Sequence, residues 1–242
     1  MKLREIFSSF FKKHFYNPKW QCSVCGAENF GDGYVCEACE KTLPYIKGAV
    51  CSHCGRTVIA PEEYCSTCKE YMTSVDKARS VFNYEKPISG LIHKFKYGNH
   101  QYLKEFFGED LTNLYLKNYF NADYLTFIPM HPKDQAKRGY NQSKLLAEVV
   151  SNKTGVAIFD GVRKIKRTKR QAKLNRAERL KNLVDAYRVT DKKSIKDKAI
   201  VIIDDVSTTG ATSQALANKL KKAGAKSVCL ITVASVPPKE KY

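Results

Sequence analysis

Asp204 and Asp205 close an apolar run, Val201-Ile202-Ile203, and lead through Val206 into the hydroxyl-rich turn Ser207-Thr208-Thr209-Gly210 and a helical segment opening with Ala211-Thr212. These residue types in this order suit a ligand with two chemically different ends. Backbone N–H groups at a helix start have no intrahelical partner and lie at the positive end of the helix dipole. With the Ser and Thr hydroxyls they can ring an anion. Gly210 lets the main chain approach closely. Two adjacent carboxylates would repel a bare phosphate, but they accept hydrogen bonds from vicinal hydroxyls or hold Mg²⁺. A sugar phosphate answers both demands. One acid and one threonine in such a turn would serve as ordinary helix caps; an uninterrupted match from Val201 to Thr212 goes beyond capping.

A second chemistry is written in the cysteines. Eight of the nine form Cys-x-x-Cys pairs: Cys22/Cys25, Cys36/Cys39, Cys51/Cys54 and Cys65/Cys68. Ten residues separate Cys25 from Cys36 and again Cys54 from Cys65, so 22–39 and 51–68 read as an internal repeat. Two thiolates three positions apart bite one tetrahedral Zn²⁺, and a second pair completes a closed four-sulfur site. The spacing therefore predicts two structural zinc ions. Gly26 and Gly55, each directly after the second cysteine of a pair, provide the tight turn. A disulfide framework belongs to oxidising compartments, redox Cys-x-x-Cys motifs come singly, and iron–sulfur runs are spaced differently. Pairing of the first knuckle with the second is the shorter loop closure, while crossing to the third stays open. His53, inside a knuckle, reads as a bystander, and Cys229 in Val228-Cys229-Leu230-Ile231 as a buried strand residue.

The elements that must position these groups alternate along the rest of the chain. Ala78–Tyr84 alternates like a strand, Ile88–Tyr97 reads as a short helix, and Tyr102–Phe120 continues helical. A strand follows at Tyr124–Pro129 and a helix at about Asn141–Lys153. Further strands are expected at Phe159–Lys164, Ala199–Asp204 and Val228–Val233, with a helix at Ala211–Ala223. This alternation predicts an α/β fold with a doubly wound parallel sheet and the ligand at the carboxyl ends of its strands. The turn Pro129-Met130-His131-Pro132-Lys133 then shares a rim with Asp204 and Asp205. Its prolines restrict the backbone, and His131, Lys133, Lys137 and Arg138 supply donors for a pyrophosphate. A length of 242 residues, 43% of them hydrophobic, accommodates this domain plus a small module. The expected boundaries are an N-terminal extension at 1–19, a double zinc ribbon at 20–72 and the α/β domain at 73–242.

The Val201–Thr212 segment resembles the phosphoribosyl pyrophosphate (PRPP) motif of type I phosphoribosyltransferases. The resemblance implies that Asp204 and Asp205, the catalytic pair, contact the ribose hydroxyls, and that Ser207, Thr208, Thr209, Gly210, Ala211 and Thr212 hold the 5′-phosphate. Met130, His131, Pro132 and Lys133, followed by Arg138-Gly139-Tyr140-Asn141-Gln142, resemble a second signature, that of the ComF subfamily. A third segment running from Arg167 to Asn182 resembles that subfamily's mobile loop, here carrying Arg167, Lys169, Arg170, Gln171, Lys173, Arg176 and Arg179. Together with the cysteine repeat, the likeness covers about residues 20 to 236. It implies a phosphoribosyltransferase-like fold with an N-terminal double zinc ribbon, PRPP bound with magnesium, and a role in natural competence. There it would act on transforming single-stranded DNA beside a DNA-translocating ATPase and a recombination mediator. The alternative is an active phosphoribosyltransferase passing phosphoribosyl to a nitrogen base outside DNA uptake. Tyr140 stands where Phe is common, and Asp134 beside Lys133 adds a negative charge to the pyrophosphate turn.

Charge points toward nucleic acid independently. The net charge is +18, and residues 161–181 hold ten Lys or Arg against the single acid Glu178. Such a run is neutralised by phosphate backbones, with binding that weakens as salt rises, or it closes as a solvated loop over a small acidic ligand. Phe95, Tyr97 and Tyr140 are the aromatic candidates for stacking on bases. No run of 18 apolar residues exists, and Met1–Gln21 breaks its short apolar stretch with Lys12, Lys13 and His14, so no membrane insertion and a cytoplasmic location are expected.

Overall fold

The computed structural model describes residues 17–58, 64, 65, 68, 74–118, 121–167, 183 and 185–237. The chain divides into two compact units, Met1–Leu43 and Pro44–Tyr242, so the two cysteine repeats belong to different units.

In the first unit Cys22 N–H donates to the Ala27 carbonyl at 2.8 Å, and Gly26 N–H to the Cys22 carbonyl at 2.8 Å. That turn places Gly26 at a φ of 77°, a region closed to most side chains. Helix α1, Glu37–Glu40, begins directly after Cys36, which puts Cys36 and Cys39 on one turn. The second unit repeats the pattern. Cys51 N–H donates to the Arg56 carbonyl and Gly55 N–H to the Cys51 carbonyl, each at 2.9 Å, with Gly55 at φ 68°. The amides of Cys36 and Cys65 approach the sulfurs of Cys22 and Cys51 at 3.4 and 3.3 Å. The internal repeat read from the spacing is thus a repeat of backbone geometry.

The rest of the second unit is built on a four-stranded sheet in the order β1-β6-β5-β2, with every pairing parallel. The strands are β1 (Lys77–Asn83), β2 (Tyr124–Phe127), β5 (Ala199–Ser207) and β6 (Ser227–Ser235). Helices α3 (Leu103–Asn118) and α5 (Gln142–Thr154) pack against each other and on the strands: α3 on β6 and β1, α5 on β5 and β2. Their crossing is close, since a Cβ on Gly108 would lie 2.5 Å from Val149 Cγ1. Helix α6 (Ala211–Lys222) contacts β6 and the short strand β4 (Tyr187–Val189). Ile200, Ile202, Val228 and Leu230 join Leu216, Ala217, Leu220 and Tyr187 in one buried cluster. Val201 and Ile203, of the opposite parity on β5, are buried as well. Burial of both parities is the signature of a covered parallel strand and explains the continuous apolar run.

Two sequence expectations are corrected. The strand expected at Phe159–Lys164 does not join the parallel sheet: β3 (Val162–Lys164) pairs antiparallel with β4 (Tyr187–Val189), a strand the pattern missed. Only Ile158 bridges β2, at Leu125. Three-residue strands are too short to carry a periodic signal. The turn after β2 continues into a helix, α4 (Pro132–Arg138), with Pro132 in its first turn. There the missing N–H costs nothing, so Pro132 starts a helix and does not merely stiffen a loop. Helix α2 spans Ile88–Tyr97, as the pattern predicted. Cys229 lies in β6 but is only half-buried.

Candidate functional site

Asp204 and Asp205 are the sixth and seventh residues of β5, at its carboxyl end. The β2–β5 ladder brings the Pro129–Lys133 turn to the same rim: Phe127 pairs with Ile203, and Ile128 N–H donates to the Ile203 carbonyl at 3.2 Å. Beyond it, His131 caps α4 through Nδ1, which accepts from Lys133 N–H at 3.3 Å. Asn141 fixes the next helix. Its side-chain amide donates to the Ile128 carbonyl at 3.0 Å, and its oxygen accepts from the Ser143 amide at 3.0 Å. The start of α5 is thereby tied to the end of β2, and Ser143 Oγ donates to Asp204 Oδ1 at 2.7 Å.

Lys96, in the last turn of α2, forms an ion pair with Asp205 at 2.9 Å. Only 23% of the Lys96 side chain and 11% of that of Asp205 are exposed, so this pair is shielded from solvent. Burial by itself would lower the Lys96 pKa, but the Asp205 carboxylate, with Asp204 farther off, outweighs it and holds the ammonium charged. Tyr140 keeps this end of α2 in place by donating its hydroxyl to the Phe95 carbonyl. The β3–β4 hairpin completes the surround. Tyr187 is buried, its hydroxyl has no partner among the described residues, and burial followed by the charge of Asp204 pushes its pKa up. Lys164 Nζ stands 5.9 Å from the Tyr187 ring centre; burial lowers its pKa against the pull of Asp134 and Asp204.

Desolvation, then the neighbouring Asp205, raises the Asp204 pKa from 3.8 to about 7. The unfolded chain gives up this proton near pH 4, and the folded chain holds it to about pH 7. Asp204 therefore subtracts from stability progressively across that window and by a constant amount above it. Asp204→Asn is expected to match the parent near pH 4 and to become the more stable of the two by pH 7. Chemical denaturation midpoints at pH 4, 5.5, 7 and 8 check this; a gap that stays flat across the series contradicts it.

The Ser207–Gly210 turn follows directly. Gly210 has φ 75° and stands as the N-cap of α6 without a side-chain cap. Ser213 Oγ and Gln214 N–H both donate to its carbonyl at 2.9 Å. The Ala211 amide approaches Thr209 Oγ1 at 3.4 Å. Among the described residues, the amides of Thr208, Thr209 and Gly210 meet no protein acceptor. One carboxylate is thus engaged by a lysine, the other by a serine hydroxyl, and both stand beside uncommitted loop amides.

Of the remaining predicted residues, Met130 and His131 are half-buried and Lys133 is exposed. Arg138 reaches the Tyr97 hydroxyl at 3.4 Å and lies 4.9 Å from that ring's centre. Arg167 forms an exposed ion pair with Asp134 at 3.0 Å, so the acid beside Lys133 is occupied by an arginine of the basic run. Lys169, Arg170, Gln171, Lys173, Arg176 and Arg179 lie outside the described residues. Phe95 and Tyr140 are buried and cannot stack on bases; Tyr97, 63% exposed, can.

The cysteine sulfurs gather into two sets, Cys22/Cys25/Cys36/Cys39 and Cys51/Cys54/Cys65/Cys68, each with all four sulfurs within 4.8 Å of one another. Knuckles therefore pair in sequence order. None of the nine cysteines is in a disulfide. Four converging thiols at this spacing fit a closed tetrahedral zinc site with no position left for a substrate, so two structural zinc ions suit the chain. His53 belongs to neither set.

The family model of the double zinc ribbon domain matches residues 13–69, and that of the phosphoribosyl transferase domain matches residues 136–241. Competence protein F of Haemophilus influenzae is 26% identical over 227 residues, covering 89% of this chain and 96% of that protein. The chain is a homologue of the ComF competence proteins. Competence protein ComFC of Streptococcus pneumoniae is 28% identical over 81% of this chain and 86% of its own. DNA utilization protein YhgH of Escherichia coli K12 is 26% identical over 86% and 92%. Among solved structures, the PRPP amidotransferase of B. subtilis superposes with a TM-score of 0.41 at 18% identity, covering 58% of this chain and 30% of that enzyme. In this ComF homologue Lys96, Ser143, Tyr187 and Lys164 are site neighbours that sequence reasoning missed. Lys96 alone left a trace, as a lysine adjoining the buried stripe Ile88, Leu91, Ile92 and Phe95.

Proposed function

We propose that this chain binds PRPP or a related phosphorylated sugar together with Mg²⁺, and that it acts in the cytoplasm in the uptake and processing of transforming single-stranded DNA. The observation that carries the reading is the pairing of two rim carboxylates with a following turn whose Thr208, Thr209 and Gly210 amides have no protein acceptor. Asp204 and Asp205 accept the ribose hydroxyls, and the Ser207–Thr212 turn receives the 5′-phosphate at the positive end of α6. Met130, His131, Pro132 and Lys133 face the pyrophosphate. Mg²⁺ suits oxygen donors of this kind and offsets pyrophosphate charge.

The DNA role draws support from the names of the relatives, competence protein and DNA utilization protein, and from the +18 net charge. Exposed Lys133, Lys137, Arg163 and Arg167 add cationic surface, and the basic segment through Lys169, Arg170, Gln171, Lys173, Arg176 and Arg179 extends it. Partners with the matching chemistry are a DNA-translocating ATPase and a recombination mediator on the incoming strand. Among the described residues no helix is long and apolar enough to cross a membrane, and eight zinc-ligating thiols favour a reducing compartment.

Titration calorimetry of PRPP with and without Mg²⁺ tests the pocket: Mg²⁺-dependent binding is expected, and no heat in either condition removes the ligand reading. Retention of single-stranded DNA is expected to collapse between 50 and 200 mM salt, by roughly 10²- to 10⁴-fold for six to ten phosphate contacts. Salt-independent retention removes the basic-face reading.

A further inference from the structure

The second ribbon does more than hold metal. Its strand-like lead, residues 44–46, runs along the edge of β1: Asn83 N–H donates to the Pro44 carbonyl at 2.8 Å and Ile46 N–H to the Val81 carbonyl at 2.9 Å. Its knuckle lies flat on the same strand. A Cβ on Gly55 would come within 2.6 Å of the Ala78 carbonyl oxygen, and Ala78 N–H donates to the His53 carbonyl at 2.7 Å. At the carboxyl end of the sheet Thr57 Oγ1 meets Asn83 Oδ1 at 3.0 Å. Asn83, Ser235 and Ser207 stand side by side there on β1, β6 and β5. From this platform Arg56, only 7% exposed, donates its guanidinium to the carbonyl of Thr208 in the phosphate turn.

We propose that Arg56 is a positioning residue for that turn, making the second ribbon part of the ligand site; this rests on the reading of Ser207–Thr212 as a phosphate cradle. A trans peptide is planar, with its C=O and N–H pointing in opposite directions. Once Arg56 holds the Thr208 carbonyl toward the ribbon, the Thr209 N–H must point away from it, toward the side left for an anion. The buried guanidinium also adds a fixed positive charge beside the turn, where an incoming phosphate is stabilised and no reorganisation is required. Arg56 thus acts through the backbone, without touching the ligand.

The test uses the full chain with zinc bound. Arg56→Met and Arg56→Lys are compared with the parent and with Cys25→Ser, a change confined to the first tetrad. Arg56→Met is expected to weaken Mg²⁺–PRPP binding at least tenfold while keeping two zinc ions and salt-dependent DNA retention. Arg56→Lys is expected to recover part of the loss, and millimolar methylguanidinium to restore binding to Arg56→Met alone. Without any ligand, hydrogen exchange at the Thr208–Gly210 amides is expected to differ between the parent and Arg56→Met. Unchanged affinity together with unchanged exchange overturns the proposal, as does equal weakening by Cys25→Ser. Should Arg56→Met fail to fold, Arg56→Lys decides the matter: parental binding and exchange in that variant overturn it. If the parent itself binds no PRPP, the ligand reading fails by that result, and the exchange comparison still decides whether Arg56 sets the turn.

Discussion

Replacing both Asp204 and Asp205 with alanine is expected to abolish Mg²⁺–PRPP binding and to leave single-stranded DNA retention nearly intact. A hydrogen bond to a charged group contributes about 1.5–3 kcal/mol, so losing two carboxylates proposed to grip a ribose is expected to cost about 3–6 kcal/mol, roughly a 10²- to 10⁴-fold loss of affinity. The change is not silent inside the protein. Without Asp205 the shielded Lys96 ammonium loses its counter-ion, and an unpaired buried charge destabilises. Adding Lys96→Met to the double variant restores a neutral interior and is expected to recover stability without recovering binding. Calorimetry for PRPP, a salt-graded DNA column and a thermal melt separate these effects. Parental PRPP affinity in the double variant contradicts the assignment, and parallel loss of DNA retention merges two sites that charge distribution keeps apart.

The second large effect is expected from the metal. Among the described residues, Cys51, Cys65 and Cys68 form the buried cluster of the second ribbon, with Cys54, Val58 and Tyr64 packed against it. With four converging thiols at its centre, metal ligation is a main source of its stability, of the order of 10–16 kcal/mol in small zinc modules. Cys51→Ser is expected to lower zinc content from two ions to one per chain. It should also depress the melting of the Pro44–Tyr242 unit, because this ribbon covers the edge of β1. A loss of about 3 kcal/mol corresponds to roughly 6–12 °C in a domain of this size. Cys22→Ser, in the other compact unit, is expected to cost one zinc ion and leave that transition in place. Metal analysis with differential scanning calorimetry checks both; equal depression of the transition by the two variants contradicts the asymmetry.

Much of the chemistry was legible because it is local. A Cys-x-x-Cys pair, a turn glycine after it and a ten-residue interval specify a knuckle whatever surrounds them. Likewise the run from Val201 to Thr212 encodes strand, acids, turn and helix start within one contiguous stretch, and α2 follows from the spacing of its own apolar residues. Each short-range unit was therefore readable along the chain: the two cysteine repeats, the carboxylate doublet with its turn, and the alternation that calls for a parallel sheet. Which distant residues complete those units was set by the fold. It brought Lys96 from α2 to Asp205, Ser143 from the start of α5 to Asp204, Tyr187 from a three-residue strand into reach of the same acid, and Arg56 from the second ribbon to Thr208. Nothing in the immediate neighbourhood of these residues announces a partner 17 to 152 positions away, since such meetings depend on how the strands are ordered and where their carboxyl ends converge, and that order is settled by burial of the whole sheet.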